Sequence, residues 1–364
     1  MNLSVPEIAP EHLVKLAAME CFASCALTYA RALGRNRPGI MPDYWNLNYQ
    51  FRTLLSSKDA RQLSLLFHYG VRITLVRGQQ ERLQADLLSG GCAILLCSAS
   101  KLRYFPASML GLETSGFQHC ILVQSWNPRT AAYRVADPMV DYIGEADREE
   151  LAEAGTRSDH RRQMIYFLLE ALPEYEPPSA EAVFGYCTER NWLHFNAAQA
   201  IPDRAIPDRA PAESAQDRQQ LWSEWFGNRN SGARAFELVR RDVEASPDWP
   251  GPALRRWIER NQLTVTSIWK VRQQVWNSLR ELQVMTGEQL SEGGVRVKAV
   301  VRLWQHLNYQ LSKYKESLHP SREQAQELIR TLTRLETEER YILSELNEWG
   351  KPFRPVQALE QTSR

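Results

Sequence analysis

Residues 119–137 read HCILVQSWNPRTAAYRVAD, and the way this stretch pairs with itself decides the fold of the N-terminal half. Two apolar runs, 119–126 and 133–136, flank Asn127-Pro128-Arg129, a turn signature, so the segment reads as a β-hairpin. Pairing His119 with Asp137 sets Ile121 opposite Val135 and Val123 opposite Tyr133. Cys120, Leu122, Arg134 and Ala136 then share the other face. A slip of one residue would destroy this match, because side chains alternate between faces along a strand. In this register an imidazole and a carboxylate stand side by side at the open end of the hairpin.

Short apolar runs at 71–76, 92–97 and 164–169, bounded by Gly, Pro and Asn, extend the hairpin into a sheet. Upstream, 21–33 reads as a helix stopped by Gly34, and 58–69 as a second helix stopped by Gly70. Helices followed by a run of strands indicate an α+β domain with an antiparallel sheet rather than an alternating parallel one.

Farther on, 173–219 has the composition of a linker. It carries Pro177-Pro178 and a direct duplication, IPDRA at 201–205 and again at 206–210. Two proline-containing pentapeptides make a spacer, not a solenoid. Within it, 182–195 is aromatic enough to pack on a domain. From 221 onward only helices are expected. Leu254, Trp257, Ile258, Val265, Ile268, Trp269, Val275, Trp276 and Leu279 recur at helical spacing, as do Val297, Val301, Trp304, Leu307, Leu311 and Tyr314. The last helix carries a Ser321-x-x-Gln324 capping box, a stripe of Leu328, Leu332, Leu335, Ile342 and Leu346, and a stop at Gly350 and Pro352. The expected organisation is thus an α+β domain over 1–172, a linker over 173–219, an all-α helical bundle over 220–350 and a tail over 351–364.

Composition narrows the function. The chain has 364 residues and a formal net charge of +1, which gives no reason to expect nucleic acid or an acidic membrane as partner. The first residues lack a basic segment followed by an apolar one, and no apolar stretch is long enough to span a bilayer, so a cytoplasmic protein is expected. Its six cysteines and seven histidines fall at none of the usual zinc spacings, so no metal is expected and the thiols are expected to be free.

Cys21 opens its helix. Unpaired backbone N–H groups and the positive end of the helix dipole favour a thiolate there, whereas Cys25, one turn further in, gains much less. The plain alternative is that both are core residues on an apolar helix face. Likewise, a histidine at a strand start is commonly structural, and Asp137 before Pro138 could simply end the strand. Together the three supply a nucleophile, a base and a group to fix the tautomer of the base.

These residues carry a resemblance. Glu20-Cys21-Phe22-Ala23-Ser24 through Leu33-Gly34, followed by Gly116-Phe117-Gln118-His119-Cys120-Ile121-Leu122-Val123 and by Val135-Ala136-Asp137-Pro138, resembles the papain-like superfamily. The branch it is most similar to contains double-glycine leader peptidases and the butirosin-biosynthesis acyltransferase family. The latter family adds a C-terminal helical region, which 221–349 resembles, including the Gly232-Ala233-Arg234-Ala235-Phe236 helix start.

The resemblance implies a papain-like N-terminal domain and an acyltransferase. Cys21 would attack an acyl thioester on the phosphopantetheine arm of an acyl or peptidyl carrier protein, with His119 as base and Asp137 orienting it. The acyl group would then pass to an amine acceptor, and no bound cofactor is implied. One departure bears on this reading. Papain-like proteases place a Gln shortly before the nucleophile, but 15–20 reads KLAAME. A thioester tolerates that loss better than an amide does, so acyl transfer leads and a peptidase or amidase follows; a binding protein without catalysis is the third reading. Glu20 is expected to point away from the thiol. Tyr44, Trp45 and Trp126 are candidate acyl-pocket residues, and Lys101 and Arg103 candidate contacts for an acidic carrier.

Overall fold

The structure is a computed structural model that describes residues 6–17, 19–35, 42–56, 61–110, 118–155, 163–196, 230–317 and 321–354. The IPDRA duplication, the rest of 197–229, residues 116–117 and the end of the tail lie outside the described residues. Two units partition the chain, Met1–Met41 with Arg61–Pro178 and Pro42–Ala60 with Ser179–Arg364. The fold is α+β.

In the first unit, helix α1 (Cys21–Ala32) is followed by α2 (Arg61–Tyr69), β3 (Val71–Gly78), α3 (Gln80–Leu88) and β4 (Cys92–Cys97). Then come β5 (His119–Asn127), β6 (Ala132–Asp137), β7 (Tyr142–Asp147), α4 (Arg148–Gly155) and β8 (Met164–Ala171); β1 (Asn48–Gln50) and β2 (Thr53–Leu55) belong to the other unit. The sheet runs β3-β8-β4-β5-β6-β7, antiparallel throughout. All five expected strands are present, longer by up to two residues at an end. β7, α3 and α4 are not among the expected elements because they carry too few apolar residues for a periodic signal: YIGEAD, QERLQADLL and REELAEAG.

Both faces of the sheet are covered, which is why β4 is apolar at every position. On one face Leu83 and Leu87 of α3 and Leu151 and Ala154 of α4 pack with Ala93, Leu95, Ile121, Val123, Tyr133, Val135 and Tyr166. On the other, Phe22 of α1 meets Phe167 edge-on at 4.9 Å, and the Cys25 thiol donates to the Cys120 carbonyl at 3.5 Å. Arg35 ties the end of α2 to that of β8 by donating to the carbonyls of Tyr69, Gly70 and Leu172 at 2.6–2.8 Å.

The hairpin register differs from the expected one. Val123 pairs with Val135 and Leu122 with Ala136, two residues away from the simple alignment, and a bulge between Val123 and Ser125 lets Trp126 pair with Tyr133. A shift of two preserves the faces where a shift of one would not. The bulge absorbs the odd residue between the halves of the hairpin. The loop is Pro128–Ala131, with Ala131 at φ 51° and the Arg129 amide donating to Asn127 Oδ1 at 3.0 Å.

The second unit departs from the expected boundaries. Residues 42–60 are not part of the sheet-bearing unit, which is therefore discontinuous rather than a single 1–172 domain. The segment forms a small hairpin, β1 (Asn48–Gln50) and β2 (Thr53–Leu55), held by side chains of the helical region. That region comprises α5 (Ala180–Asn196), α6 (Ala233–Ala245), α7 (Gly251–Glu281), α8 (Gly287–Glu316) and α9 (Arg322–Gly350). Helix α5 falls where a linker was expected. Asn191 on α5 accepts from the Trp45 amide and donates to the Pro42 carbonyl, each at 3.0 Å. On α7, Asn261 accepts from the Leu54 amide at 2.9 Å and donates to the Arg52 carbonyl at 3.1 Å. An extended segment needs partners for its backbone, and these asparagines supply them.

The apolar stripes of α7, α8 and α9 form the core of this unit, with Trp304, Val265, Ile268 and Leu335 fully buried. The Ser321–Gln324 capping box is present, and Thr286–Gln289 forms a second one at the start of α8. Helix α9 does end at Gly350, but at φ −78°, so its glycine is not there for a left-handed cap. A Cβ at Gly350 would collide with Thr188 of α5; the missing side chain permits the close approach of two helices.

Candidate functional site

The end of the hairpin brings the sequence-predicted trio together. His119 Nε2 lies 2.7 Å from Asp137 Oδ2, and Asp137 is fully buried. With Nε2 committed to the carboxylate, Nδ1 is the nitrogen available to the Cys21 thiol, which hydrogen-bonds to the imidazole. Burial works against charge on His119. The hydrogen bond to Asp137, the hydrogen bond and charge of Cys21 and the charge of Asp137 outweigh it, so the imidazole is pushed up to about 10. An imidazole so placed holds a proton beside the thiol at neutral pH.

Asp137 serves two ends. It closes β6, and its Oδ1 accepts from the Met139 amide at 3.1 Å in an Asx turn, as the structural reading of an Asp-Pro pair would have it. Its Oδ2 takes the imidazole. The turn therefore locks the carboxylate that orients the base. Met139 in turn links back to α1, where the Ser24 hydroxyl reaches its Sδ at 3.7 Å.

Among the six thiols Cys21 alone is not buried. Burial first, then the negative groups at Asp137, Cys21, Cys97 and Cys92, push the Cys25 thiol well above its ordinary value. Burial pushes Cys92 up to about 12 and Cys187 well above its ordinary value. The preference for Cys21 over Cys25, drawn from helix position, thus has a second physical basis. Glu20 is the N-cap residue, fully buried, and its carbonyl accepts from the Ser24 amide at 2.8 Å.

Two aromatic residues of the site escaped the sequence reading. Phe105 meets the His119 ring edge-on, centroid to centroid 4.9 Å, and the Tyr104 hydroxyl donates to Asp137 Oδ2 at 3.5 Å. Tyr104 stacks on Tyr142 at 3.8 Å with the rings 6° from parallel. The Tyr-Phe pair was visible beside Arg103, but nothing in the sequence said that a loop after β4 would fold over the end of β5. A cleft of about 580 Å³ opens beside it, lined in part by Tyr104, Tyr142 and Glu145.

Other candidates are displaced. Tyr44 and Trp45 are each 1% exposed and belong to the second unit, where the guanidinium of Arg272 lies 5.2 Å from the centroid of the Trp45 ring. They are core residues there, not lining of an acyl pocket. Trp126 sits seven positions along β5 from His119, roughly 23 Å at strand rise, and packs on Tyr133 at 4.5 Å. It is too far from the imidazole to line a pocket there. Lys101 pairs with Glu153 at 2.5 Å and Arg103 with Asp147 at 2.7 Å, so neither cation stands uncompensated.

No family model and no curated protein matches this chain. Among the described residues, no helix is long and apolar enough to cross a membrane.

Proposed function

We propose that this protein is a cysteine-dependent acyltransferase that takes an acyl or aminoacyl group from a carrier-protein thioester and passes it to an amine through an acyl-Cys21 intermediate. The observation that carries the reading is the His119–Asp137 contact of 2.7 Å, with the imidazole hydrogen-bonded to the one thiol that is not buried. The thiolate of Cys21 attacks the thioester carbonyl, and the phosphopantetheine sulfur leaves with a proton from His119. The amine then attacks the acyl-cysteine, His119 takes its proton, and the Cys21 thiolate is released. A thioester carbonyl is more electrophilic than an amide's and its thiolate leaves readily, so the first step depends less on oxyanion donors, of which the backbone N–H of Cys21 is one. The absence of a Gln in 15–20 weighs against the hydrolysis of an unactivated amide, which places a peptidase or amidase second. The likeness of the site to the papain-like acyltransferases of butirosin biosynthesis supports the same order. Incubation with an acyl-loaded carrier protein should add the acyl mass to the intact chain, and Cys21→Ala should abolish the adduct while Cys25→Ala retains it. Peptide cleavage that depends on Cys21, with no adduct from any loaded carrier, would overturn the transferase reading in favour of the peptidase.

A further inference from the structure

We infer that Tyr104 is a positioning residue of the Cys21–His119–Asp137 site, its hydroxyl fixing the carboxylate that in turn fixes the imidazole. This rests on the reading of those three residues as a reactive constellation, but not on the identity of any substrate.

Asp137 is fully buried, so protein groups must satisfy its oxygens. Oδ1 accepts from the Met139 amide, and Oδ2 accepts from both His119 and Tyr104. Without the Tyr104 hydroxyl, the Met139 amide would still hold Oδ1, but Oδ2 would be held by the imidazole alone, and the oxygen that orients the ring would lose its second restraint. The titratable groups that act on Tyr104 are Asp137, Cys97, Cys25 and Tyr142. Burial first, and then those groups, keep the phenol protonated and hence a donor.

The ring is held as firmly as the hydroxyl. Tyr142 stacks flat on it, and the Tyr142 hydroxyl donates to the Glu145 carbonyl at 3.1 Å. To do so the Tyr142 ring folds back over Gly144, where a Cβ would collide with the Tyr142 hydroxyl. On the chain side, the Arg103 amide donates to Glu150 Oε1 at 2.7 Å and the Phe105 amide to the Leu102 carbonyl at 3.0 Å. A packing residue would need the ring only; a ring stacked on Tyr142, on a backbone tied at Arg103 and Phe105, with its hydroxyl turned to the buried carboxylate fits a positioning role.

The test uses the full chain with Tyr104→Phe, which keeps the stack and removes the hydroxyl. It has two readouts that need no substrate: the rate at which iodoacetamide alkylates Cys21 at neutral pH, and the downfield Nε2–H resonance of His119. Alkylation should slow about five- to tenfold, in line with the loss of one long hydrogen bond of ordinary net strength, and the resonance should shift and exchange faster with water. With a loaded carrier, kcat should fall by a similar factor at unchanged KM. A Tyr104→Phe chain that alkylates at the parent rate with the resonance unmoved overturns the inference. Should that variant fail to fold, Tyr142→Leu removes the stack and leaves the hydroxyl; slower alkylation supports the inference and an unchanged rate refutes it. If Cys21 of the parent is itself inert, the proposed function falls, an outcome distinct from a reactive parent whose variants match it.

Discussion

Each unit of this protein buries a carboxylate against a cation, and the two do opposite things with it. In the second unit Glu339 and Arg272 are both fully buried and face each other as a two-pronged pair at 2.8 and 3.1 Å. Glu339 also accepts from the Trp304 indole at 2.7 Å, and Arg272 donates to the Asn46 carbonyl at 3.2 Å. This pair joins α7, α8, α9 and the 42–56 segment. In the first unit the carboxylate is equally buried, but its partner is a histidine that titrates, about a tenth exposed and bonded to a thiol that is not buried. A closed, saturated ion pair sets the register of helices; a titratable pair beside an accessible nucleophile can do chemistry. Burial of charge alone therefore does not mark a functional site.

The contrast can be broken in order of expected effect. Replacing the carboxylate in the first unit, Asp137→Asn, should leave the fold while lowering the rate of acyl-Cys21 formation by as much as about 10⁴-fold, because the amide favours the wrong tautomer of the base. Adduct formation followed by mass against time measures this. A rate within a few-fold of the parent would show that the imidazole needs no carboxylate. The matching change in the second unit, Glu339→Gln, should do the reverse. It leaves Arg272 buried without a counter-charge and should cost about 3–5 kcal/mol in denaturant unfolding with the Cys21 alkylation rate unchanged. The double variant Arg272→Met, Glu339→Leu should recover only part of that loss, since the Trp304 N–H and the Asn46 carbonyl stay unpartnered.

The His119–Asp137 pair should also respond to pH. His119 is raised in the folded chain from an ordinary 6.5 to about 10. A raised basic group stabilises the fold fully below its unfolded value, and that contribution is lost as pH climbs through the folded one. Thermal unfolding measured from about pH 6 to about pH 10.5 should show a fall in Tm that His119→Gln flattens. The smallest expected effect concerns the β1–β2 turn, where Phe51 and Arg52 both take left-handed backbone at φ 50° and 58° and Phe51 is 87% exposed. Asn and Gly are the residues such a turn favours. Phe51→Asn with Arg52→Gly should stabilise the second unit by about 1–2 kcal/mol, and no gain in the midpoint of unfolding would mean that the turn is not strained.

Much of this was legible in the sequence, and the legible parts share a cause. The helix from Cys21 to its Gly34 stop, the strands of the sheet, the stripes of α7 to α9 and the Ser321–Gln324 box are fixed by local periodicity and by caps that act within one turn. The thiol was legible because a helix start is a local feature, and the imidazole and carboxylate because one hairpin carries both. Even with the register wrong by two residues the hairpin delivered His119 to Asp137, since an even shift keeps the face. What only the tertiary structure decided depends on partners distant in the chain. The 42–55 segment belongs to the helical unit, where Asn191 satisfies the backbone at Pro42 and Trp45 and Asn261 that at Arg52 and Leu54. Lys101 and Arg103 were compensated by Glu153 and Asp147, far downstream in the chain. Tyr104 became part of the site because Asp137 and Tyr142 lie on strands that pair beside it. Periodicity and capping are written in neighbouring residues. Satisfying a buried polar group is a property of whatever the folded chain brings within a few ångströms, and no local pattern records it.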